Sequence, residues 1–348
     1  MKRRQLQLLI SAAVLITLSV VVVYMKQKKS NSTFTKDLSD FTIEDTASIG
    51  KLKITNQDKI SAELVRKHAG YWELNGKFRA RVDAIDLMLT TAKKVRVKNP
   101  VPESARENII RNLSVNYHKV EYFDLNGKAI KTWYVGHATK DHDASYMLLE
   151  TPSEGKSSLP YVTYIPGFAG ELSSRYFCVE EEWRFTGIFN YDPSEIIAVS
   201  IRNNDYPEES FEVKVLDKNL FALHDQFGKK VERFDTAGVR QLVVNFKKIH
   251  FETLNRGILS PLQEDSLRKA KPYYEISVTD KKGEKKEIKV FHKKLPPHNM
   301  NNEPFEQDYP YDPERAFAQI PGGEIVVIQF FVFDKILWPI DAFLPRKE

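Results

Sequence analysis

The sequence predicts an α+β protein: an N-terminal transmembrane helix followed by two tandem repeats, each a mainly antiparallel sheet with helices on one face. Three observations predict it. Residues 8–25 form an uncharged, mostly apolar run bracketed by Lys2, Arg3 and Arg4 before it and Lys26, Lys28 and Lys29 after it. Beyond the run, short segments switch between an apolar period of two and one near 3.6. The order of those segments is then run through a second time.

The anchor comes first. An apolar stretch of about 18 residues, rising about 1.5 Å per residue, just crosses a hydrocarbon core of roughly 30 Å, and only a helix keeps its backbone paired there. A cleaved signal peptide would need a shorter apolar region and a small-x-small site after it. Here the run closes on Val20-Val21-Val22-Val23-Tyr24-Met25-Lys26, with no such site and no following Cys for lipid attachment. An uncleaved helix at about 7–25 within an anchor at 1–29 is therefore expected. Lys2, Arg3 and Arg4 favour the N-terminus inside and the rest of the chain outside. These 29 residues hold six cations and no acid. Subtracting the six from the 52 Lys and Arg of the chain leaves 46 against 47 Asp and Glu. The net charge of +5 thus belongs to the anchor, and the remainder carries no overall basic footprint for nucleic acid.

Residues 30–44 are a polar tether, and 45–175 hold the first repeat. Ile49, Leu52 and Ile54 mark a strand; Ile60 to Val65 and Tyr71 to Leu74 form a hairpin through His68-Ala69-Gly70. Val82, Ile85, Met88, Leu89, Ala92 and Val95 make one apolar helical stripe, and Pro100 and Pro102 forbid its extension. Ser104-Ala105-Arg106-Glu107 has capping-box spacing and is expected to open a second helix through Leu113. Val120 to Phe123 and Ala129 to Val135 are strands joined by Asp124-Leu125-Asn126-Gly127. Tyr146 to Leu149 and Tyr161 to Ile165 complete the sheet.

After a connector at 176–192, residues 193–348 repeat this order. Ile196 to Asn203 matches Ile49 to Asn56, and Phe211 to Val215 with Phe221 to Leu223 makes the hairpin. Val239, Leu242, Val243, Phe246 and Ile249 match Ile85, Met88, Leu89, Ala92 and Val95 at constant offset. Asp235 suits a helix N-cap. Ser260-Pro261-Leu262-Gln263 is a second capping box, with Pro at the first helical position. Ile276 to Asp280 matches Val120 to Asp124, and Gly283 falls on Gly127. Phe317 to Ile320 and Ile325 to Val332 supply the last strands, and the apolar tail Phe330 to Trp338 reads as a buried strand. Cys178 is alone, so each repeat must be held by its own core without a disulfide.

Three segments carry the chain's resemblance to known proteins: Phe41-Thr42-Ile43-Glu44-Asp45-Thr46-Ala47; Pro160-Tyr161-Val162 with Pro166-Gly167-Phe168-Ala169-Gly170-Glu171-Leu172; and Trp183-Arg184. On these the chain resembles the bacterial envelope proteins that carry domain of unknown function 4340. The resemblance covers nearly the whole region beyond the anchor. It implies a duplicated domain tethered to the inner membrane in the periplasm, encoded near ABC-type transporters of the gliding or export kind. It implies no activity, cofactor or site residue. The missing lipidation Cys departs from the lipid-anchored members and points to a retained helix.

Candidate chemistry is sparse. His137, Asp141, His142 and Asp143 combine imidazole and carboxylate, which suits zinc or manganese, but they sit in a polar stretch between two strands. Ser153-Glu154-Gly155-Lys156 has Ser-x-x-Lys spacing in a turn composition rather than at a helix start. Pro166 to Gly170 is a tight turn with two glycines. The Pro-, Asn- and acid-rich segment Pro296 to Pro313 is an insertion relative to the first repeat. It is the expected partner contact through Phe305, Tyr309 and Tyr311. No phosphate loop, His-Glu-x-x-His, Cys pair or Gly-x-Ser-x-Gly occurs. The expectation is a single-pass protein of the inner membrane, without cofactor or catalysis, that binds other envelope proteins such as an ABC-type transporter. The alternative is a periplasmic ligand- or metal-binding enzyme using the 137–143 loop.

Overall fold

A computed structural model describes residues 38–295 and 310–345. The helix expected at 7–25 and residues 296–309 of the insertion lie outside the described residues. Among the described residues no helix is long and apolar enough to cross a membrane. The chain divides into two compact units between Phe185 and Thr186, and both are mainly antiparallel sheets with a few helices.

In the first unit, β1 (Ile49–Asn56), β2 (Ser61–His68), β3 (Tyr71–Leu74) and β4 (Phe78–Arg79) lead into helix α1 (Val82–Lys94). Then come β5 (Arg96–Pro100), α2 (Glu103–Val115), β6 (His118–Asp124), β7 (Ala129–Ala138), β8 (Ser145–Thr151), β9 (Gly155–Lys156), β10 (Tyr161–Tyr164) and the short α3 (Glu180–Trp183). The strands order as β4-β3-β2-β1-β6-β7-β8-β10-β5, with β9 on β8. The reading from sequence takes Pro100 and Pro102 as a stop and overlooks β5. This strand closes the sheet edge against β10, where a proline costs little because its neighbour on that side is water.

The second unit runs β11 (Gly187–Phe189), β12 (Ile196–Asn203), β13 (Phe211–Asp217), β14 (Leu220–Asp225), α4 (Thr236–Asn245), β15 (Ile249–His250) and β16 (Thr253–Leu254). It continues with α5 (Pro261–Lys269), β17 (Tyr274–Asp280), β18 (Lys285–Lys294), β19 (Tyr311–Gln319), β20 (Ile325–Gln329) and α6 (Phe330–Phe333). Its main sheet is ordered β14-β13-β12-β17-β18-β19-β20-β16, strand for strand the order β3-β2-β1-β6-β7-β8-β10-β5. The registers agree as well. Lys51 faces Phe123 and Lys53 faces Glu121; Ala198 faces Thr279 and Ser200 faces Ser277, and each pairing slips at the same point near its start.

The expectation of helices on one face is corrected. Helix α1 buries Ile85, Met88 and Ala92 against Leu52, Ile54, Val120 and Tyr122, whereas α2 buries Ile109 and Leu113 on the opposite face against Leu148 and Val162. In the second unit α4 packs with Val199, Ile201, Ile276 and Val278, and α5 lays Leu267 on the other face against Phe291, Phe317 and Val327. The cause is in the closing strands. Met147-Leu148-Leu149 and Ile325-Val326-Val327-Ile328 are continuous apolar runs, so they put oil on both faces and both must be covered.

Other boundaries shift for local reasons. Helix α2 starts one residue before Ser104, with Pro102 as its N-cap and no side-chain cap bond, so the capping box read there is absent. The box at Ser260 is present, and Asp235 caps α4 through the Ala237 N–H. The tail read as a strand is instead the short helix α6, with Phe331 91% exposed and Val332, Phe333 and Ile336 buried. The connector read at 176–192 is built into cores: Tyr176, Cys178 and Trp183 into the first, Ile188 and Phe189 into the second.

Candidate functional site

The 137–143 segment is a tight turn. His137 ends β7 with its ring 5.1 Å from that of Tyr146, and the His142 N–H donates to the Thr139 carbonyl with φ at +58°. Asp141 accepts from the Thr139 hydroxyl and the Asp143 N–H, and the Thr139 bond holds its carboxyl below the usual range. Both bonds fall on one carboxylate oxygen and shape the loop. Among the described residues no group of three or more His, Cys, Asp or Glu is placed to hold a metal ion.

The other motifs resolve into structure. Ser153 sits in the turn between β8 and β9, and Lys156 lies with its ammonium 3.6 Å from the Tyr134 ring centre, its pKa lowered by burial. In the Pro166–Gly170 turn, Gly167 and Gly170 take φ of +79° and +145°, and the Phe168 ring lies under the Arg175 guanidinium. Cys178 is buried, and burial pushes its thiol up to about 11, which keeps it protonated and unreactive at neutral pH. The hydroxyls of Tyr122 and Tyr176 have no hydrogen-bond partner among the described residues, and burial pushes both pKa values up.

Of the expected partner-contact residues, Phe305 and Tyr309 lie outside the described residues. Tyr311 opens β19 and stacks on His292 at 4.2 Å between ring centres; His292 stacks in turn on Tyr273 at 4.1 Å, and its Nε2 lies 2.9 Å from Asp205. This stack ties four separate segments together.

One concavity lies where the sequence reading places no site. A cleft of about 700 Å³ opens in the second unit between α4 and the β13–β14 hairpin. Its floor is Ile196, Val215, Phe221 and Val243, and its lips are Ile197, Leu216 and Val244, all three exposed, Leu216 by 60%. Lys218, Arg240 and Lys281 stand around it without an ion-pair partner among the described residues. Two carboxylates share the rim: Asp192 accepts from the N–H and hydroxyl of Ser194, which holds its pKa down and keeps it anionic, and Asp217 accepts from the Lys218 N–H. The cleft is therefore an apolar slot whose rim carries three cations and two carboxylates. Its size and apolar floor suit the binding of an apolar group. Strand alternation marks Leu216 as polar-side, which is the signal that could have singled it out.

Compared with family models, with curated proteins and with solved structures, the chain matches none.

Proposed function

We propose that the chain is a single-pass, non-catalytic extracytoplasmic protein of the bacterial inner membrane. In this reading its second unit docks an apolar, acid-flanked segment of another envelope protein, as an accessory subunit of a complex such as an ABC-type transporter. The observation that carries the docking is the cleft between α4 and the β13–β14 hairpin. Exposed leucine, isoleucine and valine line it, and its three cations outnumber its two carboxylates, which suits acids flanking an apolar segment. Support for the anchor is the uncharged run at 8–25 between cationic flanks. The family resemblance supplies the transporter link. We further read the two units as copies of one ancestral domain, a reading supported by the matched strand order and registers.

Affinity purification of the full chain from native membranes tests this. Leu216→Asp and Arg240→Glu are each expected to reduce the co-purifying partner at least fivefold, while Leu262→Asp, on exposed α5, leaves it unchanged. Recovery of no stable partner, or retention by both cleft variants, would overturn the docking. Protease digestion of intact spheroplasts that spares the region beyond residue 38 would overturn the topology.

A further inference from the structure

The face of the second sheet opposite α4 is bare over β13, β12 and β17, since α5 covers only the β18–β20 side. There the surface sinks into a trough of about 480 Å³, a size within the range of small-ligand sites. Its depth has a specific origin. At the matching places in the first unit stand Lys51, Lys53, Glu121 and Phe123; Lys51 lies over the Phe123 ring and pairs with Glu63, and Lys119 pairs with Glu121. In the second unit the same register positions hold Ala198, Ser200, Ser277 and Thr279. Four long side chains are thus replaced by four short ones, three of them hydroxylic, at the centre of the face.

A second, independent observation points to a ligand. Ser277 is only 7% exposed, lines the trough, and its hydroxyl has no hydrogen-bond partner among the described residues. The hydroxyls of Ser200 and Thr279 beside it, on half-buried residues, also line the trough without a hydrogen-bond partner among the described residues. Such groups are left waiting for partners that a polyhydroxylated ligand supplies. The charged groups around them balance in sign: Arg202 and Lys285 against Glu212 and Asp225. This favours a neutral ligand over an anion or a cation. Gln226 adds an amide to the lining, whereas the Asn203 amide is spent on Glu209, Tyr274 and the Asp205 and Tyr206 N–H groups. An extended peptide would compete for the backbone of a sheet edge; here only side chains are on offer.

We infer that this trough is a binding site for a neutral saccharide chain, held by the Ser200, Ser277 and Thr279 hydroxyls. The inference does not rest on the docking cleft.

The test uses the full chain in a non-glycosidic detergent, titrated calorimetrically with chitotetraose, cellotetraose and maltotetraose. Saturable binding of at least one is expected. Ala198→Lys and Thr279→Phe, which reinstate the first unit's residues at these places, are expected to weaken it at least tenfold. Hydrogen exchange of the wild-type chain, at saturating saccharide, is expected to slow in the lining segments 203–210 and 225–228; this readout stands even if a filled variant fails to fold. Binding of none of the three, unchanged binding by the filled variants, or slowed exchange confined to other segments would overturn the inference.

Discussion

At the scale of the residue, small side chains decide two opposite things. Gly50 is a packing requirement. A Cβ on it would lie 2.6 Å from the Leu125 Cα and 2.7 Å from the Asp124 carbonyl oxygen, both backbone atoms that cannot swing aside. Its counterpart in the second unit is Ile197, a lip of the cleft, so the same register position is closed in one unit and open in the other. Gly50→Ala is expected to destabilise the first unit by about 1–3 kcal/mol, read as a lowered denaturant midpoint with an unchanged slope. Ala198 and Ser200 work the other way, since their shortness leaves room. Neither role is legible from composition, because Gly and Ser in a strand read first as turn or edge signals. The imidazoles and carboxylates at 137–143 show the converse error. Residue types that suit a metal here shape a turn, through Asp141 Oδ1 and the His142 backbone N–H, and among the described residues form no metal-holding group.

At the scale of the element, caps and turns follow local chemistry closely. Asp124, Asp225 and Asp280 each accept from the N–H groups two and four residues on, and Gly127, Gly228 and Gly283 each take positive φ three residues after them. One Asp-x-x-Gly turn is thus used three times, twice at the matching hairpin. Helix starts are separable by experiment. Asp235→Ala and Ser260→Ala remove real cap bonds and should each cost about 1 kcal/mol. Ser104→Ala, at an exposed position inside α2, should change stability by less than about 0.5 kcal/mol. Equilibrium unfolding of the three variants checks the contrast. Equal losses at all three would mean that α2 starts where its sequence motif suggests.

At the scale of the whole molecule, each unit closes its own core. The clusters centred on Leu52, Val120 and Trp133 and on Ile109 and Leu148 draw only on residues before 185; those centred on Val199, Val278 and Phe333 and on Phe317 draw only on residues after 186. Cys178 contributes as a buried apolar group, and no disulfide is available to close either unit. Residues 38–185 and 186–348 expressed separately are therefore expected to unfold cooperatively, each with a single transition by circular dichroism and by fluorescence. A fragment that lacks a transition would show that its core needs the rest of the chain.

The sequence by itself determined the order of the long hairpins and of α1, α2, α4 and α5, the apolar stripes of α1 and α4, the Asp-x-x-Gly turns and the Ser260 cap. Each of these is a property of a few neighbouring residues, and periodicity or capping chemistry reports it directly. Only the tertiary structure decided that helices cover both faces of each sheet, that Pro100 ends an edge strand, and that Leu216 and Val244 meet across one cleft while Ser200 and Ser277 meet in one trough. Those facts depend on which registers distant strands adopt. A register is set by the sum of many weak contacts across the core, so no single stretch of chain announces it.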